Sequence, residues 1–144
     1  MQRLEVTKLR SDAIVPTRAH PDDAGLDLCA VEPRELAPGQ RGTVSTGLAV
    51  AIPPGWAGLV VPRSGLARKH GVTVANAPGL IDAGYRGELQ VLLVNLSNEA
   101  HRIEAGDRVA QLVCVPVGTG PVVVVEALPA SDGRGDGGFG STGR

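Results

Sequence analysis

Apolar residues along this chain come in short runs. No segment longer than about ten residues carries a 3.6-residue apolar stripe. The runs "LEVTKL", "TVSTGLAVAI", "AGLVVP", "VTVAN", "ELQVLLVNL", "RVAQLVCVPV" and "VVVVEAL" are rich in β-branched residues and bounded by Gly or Pro, which predicts strands. Turn signals separate them: "APGQRG" at 37–42, "PPGW" at 53–56, "APGLIDAGYRG" at 77–87 and "EAGD" at 104–107. Short strands with this regular punctuation predict an all-β sandwich, jelly roll or small barrel. "SGLARKHG" at 64–71 predicts one or two helical turns. From residue 129 the β-branched residues give way to Pro, Ser, Asp and Gly. The expected organisation is one β domain over 1–128 and a flexible Gly-rich arm over 129–144, not a second domain.

"VVVVEAL" at 122–128 is four consecutive valines with a single charge, a hazard as a free edge. Two readings follow. One is an interior strand of the sheet. The other is a strand that packs against, or crosses to, another subunit.

At 144 residues the chain is long enough to bury roughly 70% of its unfolded surface as one domain. A formal net charge of -1 provides no general basic field, so nucleic acid and polybasic membrane binding are not expected. A small acidic ligand remains open through a local Arg cluster. Cys29 and Cys114 form no CxxC pair and are expected as free, buried thiols. No basic-then-apolar leader and no 18-residue apolar run is seen, which predicts a soluble, cytoplasmic protein. His20, His70 and His101 have no metal spacing and read as surface residues.

Candidate chemistry sits at the turns. "DDAGLDLCA" at 22–30 offers Asp22, Asp23 and Asp27, either a Mg²⁺ site beside a phosphate or a charged turn that opens a strand. "VPRSGLA" at 61–67 sets Arg63, Ser64 and Gly65 after a strand, which suits phosphate oxygens or an ordinary polar turn. "NAPGLIDAGYRGEL" at 76–89 is a long Gly-rich connection holding Asp82 and the only Tyr, Tyr85. Such loops are usually functional, and a turn would bring the two residues to one side. In "GDRVAQLV" at 106–113, alternation places Val109, Gln111 and Val113 on one face, so Gln111 is a polar residue that needs a partner. "GRGDGGFGSTGR" at 133–144 contains six Gly and the only Phe. Its backbone N–H groups, with Arg134, Ser141 and Thr142, suit an anion, and Phe139 suits a flat group; the alternative is a disordered tail.

Five segments, "AGLDL", "PRSGLA", "NAPGLIDAGYRGEL", "GDRVAQLV" and "RGDGGFGSTG", together resemble in order the five motifs of the trimeric dUTPases. The resemblance spans residues 24–143. It implies a distorted jelly roll of the β-clip type and a homotrimer with sites at subunit interfaces. It implies Mg²⁺-dependent hydrolysis of dUTP to dUMP and pyrophosphate, supplying dUMP for thymidylate synthesis and limiting uracil in DNA. Asp82 resembles the carboxylate that deprotonates the water attacking the α-phosphorus. Tyr85 resembles the ring packed under the deoxyribose. Asn76, Leu80 and Ile81 match the hairpin that reads uracil, and Gln90 follows it among the substrate contacts. Arg63, Ser64 and Gly65 match the α/β-phosphate contacts. Asp27 matches a group that reaches Mg²⁺ through water, and Gln111 one that holds water. Arg134, Phe139, Gly140, Ser141 and Thr142 match the arm, with the ring stacking on uracil and the rest binding the γ-phosphate. The rival activities are dCTP deamination on the same fold and a non-catalytic jelly-roll assembly.

Overall fold

The computed structural model describes residues 3–130. Its strands are β1 (Glu5–Lys8), β2 (Leu26–Cys29), β3 (Arg34–Leu36), β4 (Arg41–Ala51), β5 (Trp56–Val61), β6 (Val72–Val74), β7 (Gly79–Ile81), β8 (Glu88–Asn95), β9 (His101–Ile103) and β10 (Arg108–Pro116). One helix, α1 (Ser64–His70), lies between β5 and β6. Two four-stranded antiparallel sheets run β1-β4-β8-β6 and β2-β10-β5-β7, and β3 pairs with β9 as a separate ribbon. The all-β, jelly-roll-like expectation is met.

Alternation explains which sequences become strands. In β8, Leu89, Val91, Leu93 and Asn95 are buried while the residues between them are not. β4 alternates only as far as Thr46, and then Leu48, Ala49 and Val50 are all buried. Its register with β8 shifts between Ser45 and Ala49. Gly47, at φ 65°, supplies the left-handed residue that such a bulge requires. The core joins both sheets and the ribbon: Leu28, Val60 and Leu112 meet Val44, Leu93 and Leu36. Each such side chain contributes roughly 1.5–3 kcal/mol on burial.

The sequence reading missed four strands. β2, β3, β7 and β9 have three or four residues each and at most one β-branched residue, unlike the equally short β1 and β6. β7 lies inside what reads as a loop. One predicted strand is absent: residues 122–128 pair with nothing, and Val122 and Val124 are 96% and 95% exposed. β-branched residues need a neighbouring ladder to become a strand, and neither sheet offers these residues one. The interior-strand reading of "VVVVEAL" is therefore wrong. Both cysteines are free, Cys29 buried and Cys114 half-buried. Burial pushes both thiols above their ordinary pKa, which keeps them protonated and inert. No helix among the described residues is long and apolar enough to cross a membrane.

Two buried polar side chains tie strands together, one within the first sheet and one from that sheet to the ribbon. The Thr46 hydroxyl donates to the Leu89 carbonyl at 2.6 Å. The fully buried Asn95 amide donates to the carbonyls of Leu36 (2.9 Å) and Glu99 (2.7 Å), and its oxygen accepts from the Ser97 N–H (2.9 Å) and hydroxyl (2.8 Å). Asn95→Ala leaves these groups without partners in a dry site. The expected loss is about 2–4 kcal/mol of folding free energy, read by urea denaturation. A midpoint within error of the parent would show that the staple contributes nothing.

Candidate active site

Three adjacent strands assemble the first half of the site. Asp27 on β2 lies opposite Gln111 on β10, and Gln111 lies opposite Val61 at the end of β5. The chain then turns into α1, with Arg63 at its N-cap position. Asp27 is the one buried carboxylate among the described residues. Its Oδ1 meets Arg63 Nε at 3.2 Å and accepts from Gln111 Nε2 at 3.3 Å. Its Oδ2 meets Arg108 Nη1 at 3.4 Å, while Arg63 Nη1 donates to the Arg108 carbonyl at 3.2 Å. Two guanidiniums around one carboxylate leave the cluster net positive. The Asp27 side chain is only 11% exposed and Arg108 is 54% exposed, so the cationic excess faces solvent.

Gln111 thus has the partner its position called for, although the face predicted for it is not the observed one. A register shift between Arg108 and Ala110 buries both Val109 and Ala110, which breaks the expected Val109–Gln111–Val113 alternation. Asp22 and Asp23 take no part in the cluster: Asp23 accepts from the His20 N–H at 2.9 Å and closes a local turn. Arg108 was not singled out from the sequence. It opens the strand "RVAQ" just after a turn, and only the pairing of β10 with β2 reveals its carboxylate partner. Ser64 and Gly65 are exposed in the first turn of α1. A cleft of about 270 Å³ opens beside the cluster, lined by Arg63, Leu66, His101, Asp107 and Arg108 among others. His101 is half-buried rather than a surface residue, its ring 4.6 Å from that of His70. Burial, and then the neighbouring His70, hold its pKa below the usual value.

The second half is the hairpin. β7 pairs antiparallel with β5, Gly79 opposite Val60 and Ile81 opposite Gly58. Asp82 therefore leaves the sheet level with Ala57, at the far end of β5 from Val61. At about 3.3 Å per residue that is roughly 13 Å away along the strand. A turn closes there, the Tyr85 N–H donating to the Asp82 carbonyl at 3.0 Å. The Tyr85 hydroxyl donates to the Glu88 carbonyl at 2.8 Å, and the ring lies back over Gly87. A Cβ at Gly87 would come within 2.5 Å of the hydroxyl oxygen and 2.7 Å of the ring carbon that bears it. Asn76 lies beside Gly79, and Leu80 is exposed. Asp82 is exposed, and Ile81 packs half-buried against the core. Gln90 lies in the other sheet, opposite Ser45, and its amide donates to Glu88 Oε2 at 3.2 Å.

Glu88 is a second residue that the sequence reading missed. Its Oε1 accepts from the Ser45 hydroxyl and, at 2.7 Å, from the Gly47 N–H in the β4 bulge. Burial opposes its ionisation, but the donors from Ser45, Gly47 and Gln90 outweigh it and hold the pKa below the usual carboxylate value. A depressed carboxylate pKa contributes stability above the unfolded value, and that stability is lost as pH falls through the folded one. Arg134, Phe139, Gly140, Ser141 and Thr142 lie outside the described residues. Within one chain, then, Asp27, Arg63 and Gln111 are brought together, Asp82 and Tyr85 are brought together, and the two groups are not.

A sequence profile described as dUTPase matches residues 11–143. The deoxyuridine 5'-triphosphate nucleotidohydrolase of Leifsonia xyli subsp. xyli is 54% identical over 130 residues, 90% of this chain and 85% of that protein. Among solved structures, the Staphylococcus bacteriophage 80alpha dUTPase (a G164S mutant with dUpNHpp) superposes with a TM-score of 0.93 at 32% identity, covering 100% of both chains. The D95N mutant dUTPase from phage phi11 of S. aureus, described with a structural Mg(II) ion, reaches 0.84 at 30% identity, over 90% of this chain and 100% of that one.

The close approach at Gly87 yields a direct check. Gly87→Ala should push the ring off the Glu88 carbonyl while leaving both sheets intact, because a single side chain is the displaced group. With one tyrosine in the chain, the near-UV circular dichroism band of that ring should collapse while the far-UV spectrum stays unchanged. An unaltered tyrosine band would mean the ring does not rest there in solution.

Proposed function

The chain belongs to the dUTPase family and is a dUTP diphosphatase, and from that premise we propose how its residues divide the reaction. Asp82 accepts a proton from a water that attacks the α-phosphorus. The bond to the β-phosphate bridging oxygen breaks, and dUMP and pyrophosphate leave. Tyr85 packs under the deoxyribose, where a 2′-hydroxyl would collide with the ring. Asn76 and the backbone at Leu80 and Ile81 read uracil. Arg63, Ser64 and Gly65 hold the α- and β-phosphates, Gln111 holds a water, and Gln90 completes the contacts beyond the hairpin. Residues 129–144 close over the bound triphosphate as an arm on the 1–128 domain, with Phe139 stacked on the base. Arg134, Gly140, Ser141 and Thr142 meet the γ-phosphate. The product dUMP feeds thymidylate synthesis, and removal of dUTP limits uracil in DNA. Free, protonated thiols fit a cytoplasmic setting.

One observation carries this reading. The Arg63–Asp27–Gln111 cluster and the Asp82–Tyr85 hairpin stand at opposite ends of β5. An α-phosphorus held by Arg63 and attacked by a water on Asp82 needs the two groups close together, and within one chain β5 keeps them roughly 13 Å apart, which favours a site shared between two copies. That supports a homotrimer with sites at its interfaces. The bare valines at 122–125 support a C-terminal segment that crosses to a neighbour.

The donor set also bears on Mg²⁺. No group of three or more His, Cys, Asp or Glu is assembled among the described residues, so no all-protein cage is expected. Asp27 Oδ1 already has two donors, but Oδ2 is engaged only at 3.4 Å. That suits an ion held by substrate phosphates and waters, with Asp27 accepting through a water. When bound, the ion would neutralise phosphate charge.

Two experiments test the division of roles. Asp82→Asn should still bind a dUTP analogue yet lose roughly 10²- to 10⁴-fold in kcat, measured as pyrophosphate release. Near-normal turnover would remove Asp82 from the chemistry. Arg63→Ala and Asp82→Asn, each inactive alone, should complement when co-refolded. A site is intact when its Asp82 comes from an Arg63→Ala chain and its Arg63 from an Asp82→Asn chain, one half times one half, or roughly a quarter of the sites in random assemblies. No recovery in verified mixed assemblies would place the whole site within one chain.

A further inference from the structure

We propose that Glu88 is a positioning residue that holds the Tyr85 ring in place and so sets how sharply the site refuses a ribonucleotide. The inference rests on the reading of Tyr85 as the ring under the sugar. A ring excludes a 2′-hydroxyl by collision only if it cannot swing aside. Tyr85 is exposed on the outside of the hairpin, and its ring rests on Gly87, which offers no side chain to wall it in. One hydrogen bond anchors its far end, from the hydroxyl to the Glu88 carbonyl at 2.8 Å. The stiffness of the ring is therefore the stiffness of residue 88.

Residue 88 opens β8 with its backbone opposite Ala49, next to the bulge in the ladder, and its side chain adds a second hold. The carboxylate reaches across to β4, where the Ser45 hydroxyl and the Gly47 N–H both donate to Oε1, and the Gln90 amide donates to Oε2. The Gly47 N–H points at this carboxylate from the bulge that shifts the β4–β8 register between Ser45 and Ala49. The rest of the loop is tied only to itself. Arg86 Nη1 donates to the carbonyls of Ala83 and Tyr85, each at 2.7 Å. The Glu88 carboxylate is thus the side-chain tie between the hairpin and the second sheet. Without it the end of β8 keeps only its register with Ala49 beside the bulge, the Glu88 carbonyl is held less tightly, and the ring gains the freedom to tilt, which opens room at the 2′ position.

The readout is the ratio of kcat/KM for UTP to that for dUTP, which a purely structural defect would not move, since it lowers both. Tyr85→Ala should raise the ratio most. Glu88→Ala should raise it roughly three- to tenfold, the worth of one hydrogen bond's hold on the ring, chiefly through a lower KM for UTP. Glu88→Gln keeps an acceptor for Ser45 and Gly47 and should restore discrimination close to the parent value. In a Tyr85→Phe background, where the hydroxyl is gone, Glu88→Ala should add nothing further. If Glu88→Ala does not fold, Ser45→Ala carries the same test with a smaller rise. Two results overturn the proposal alone: Tyr85→Ala raises the ratio while Glu88→Ala and Ser45→Ala leave it unchanged, or Glu88→Ala raises it equally with and without the hydroxyl. A Tyr85→Ala ratio equal to the parent's overturns the sugar reading and this proposal together.

Discussion

A β-strand rises about 3.3 Å per residue and hardly compresses. β5 is therefore a ruler. Its Val61 end leads into Arg63 and stands beside Gln111, and its Ala57 end faces the exit of β7 toward Asp82. No side-chain rearrangement closes a gap fixed by backbone pairing on both sides of a strand. The cationic cluster and the carboxylate hairpin keep their separation as long as the sheet exists. Each can then be optimised without disturbing the other.

Local electrostatics differ at the two ends. Around Asp27 two guanidiniums share one carboxylate, beside a cleft that Asp107 also lines. Asp27 is better understood as the post that orients Arg63 than as a free ligand, because its buried charge would be costly unpaired. Asp82, by contrast, is exposed on the hairpin. Glu88 sits between these extremes: its donors hold it ionised, and its task is mechanical.

Much of the fold was legible in the sequence, because long alternating runs such as 88–95 write their burial pattern in their residues. Three of the four three-residue strands were not legible, since nothing in "HRI" or "GLI" distinguishes a strand from a turn until a partner is known, whereas "VTV" announces β6. The same limit applies to the site. Arg63, Asp27 and Gln111 stand out singly as candidates, but their contact depends on the order β2-β10-β5, which no local pattern encodes. Arg108 and Glu88 escaped notice for that reason: each looks like an ordinary surface charge until the strand opposite it supplies a carboxylate or a bulge. The error at 122–128 has the converse cause. Propensity there is high, but propensity does not provide a neighbour.

Those four valines impose a demand on synthesis. A chain leaving the ribosome carries a β-prone, uncharged stretch with its backbone groups unpaired. Unpaired edges of this kind join whatever edge they meet first, and at high expression the nearest ones belong to other unfinished chains. Yield of soluble protein is thus a race between completion of the fold and capture of residues 122–125 by other unfinished chains. Slow expression at low temperature, or a charge placed at the outermost valine, shifts that race toward recovery of folded material.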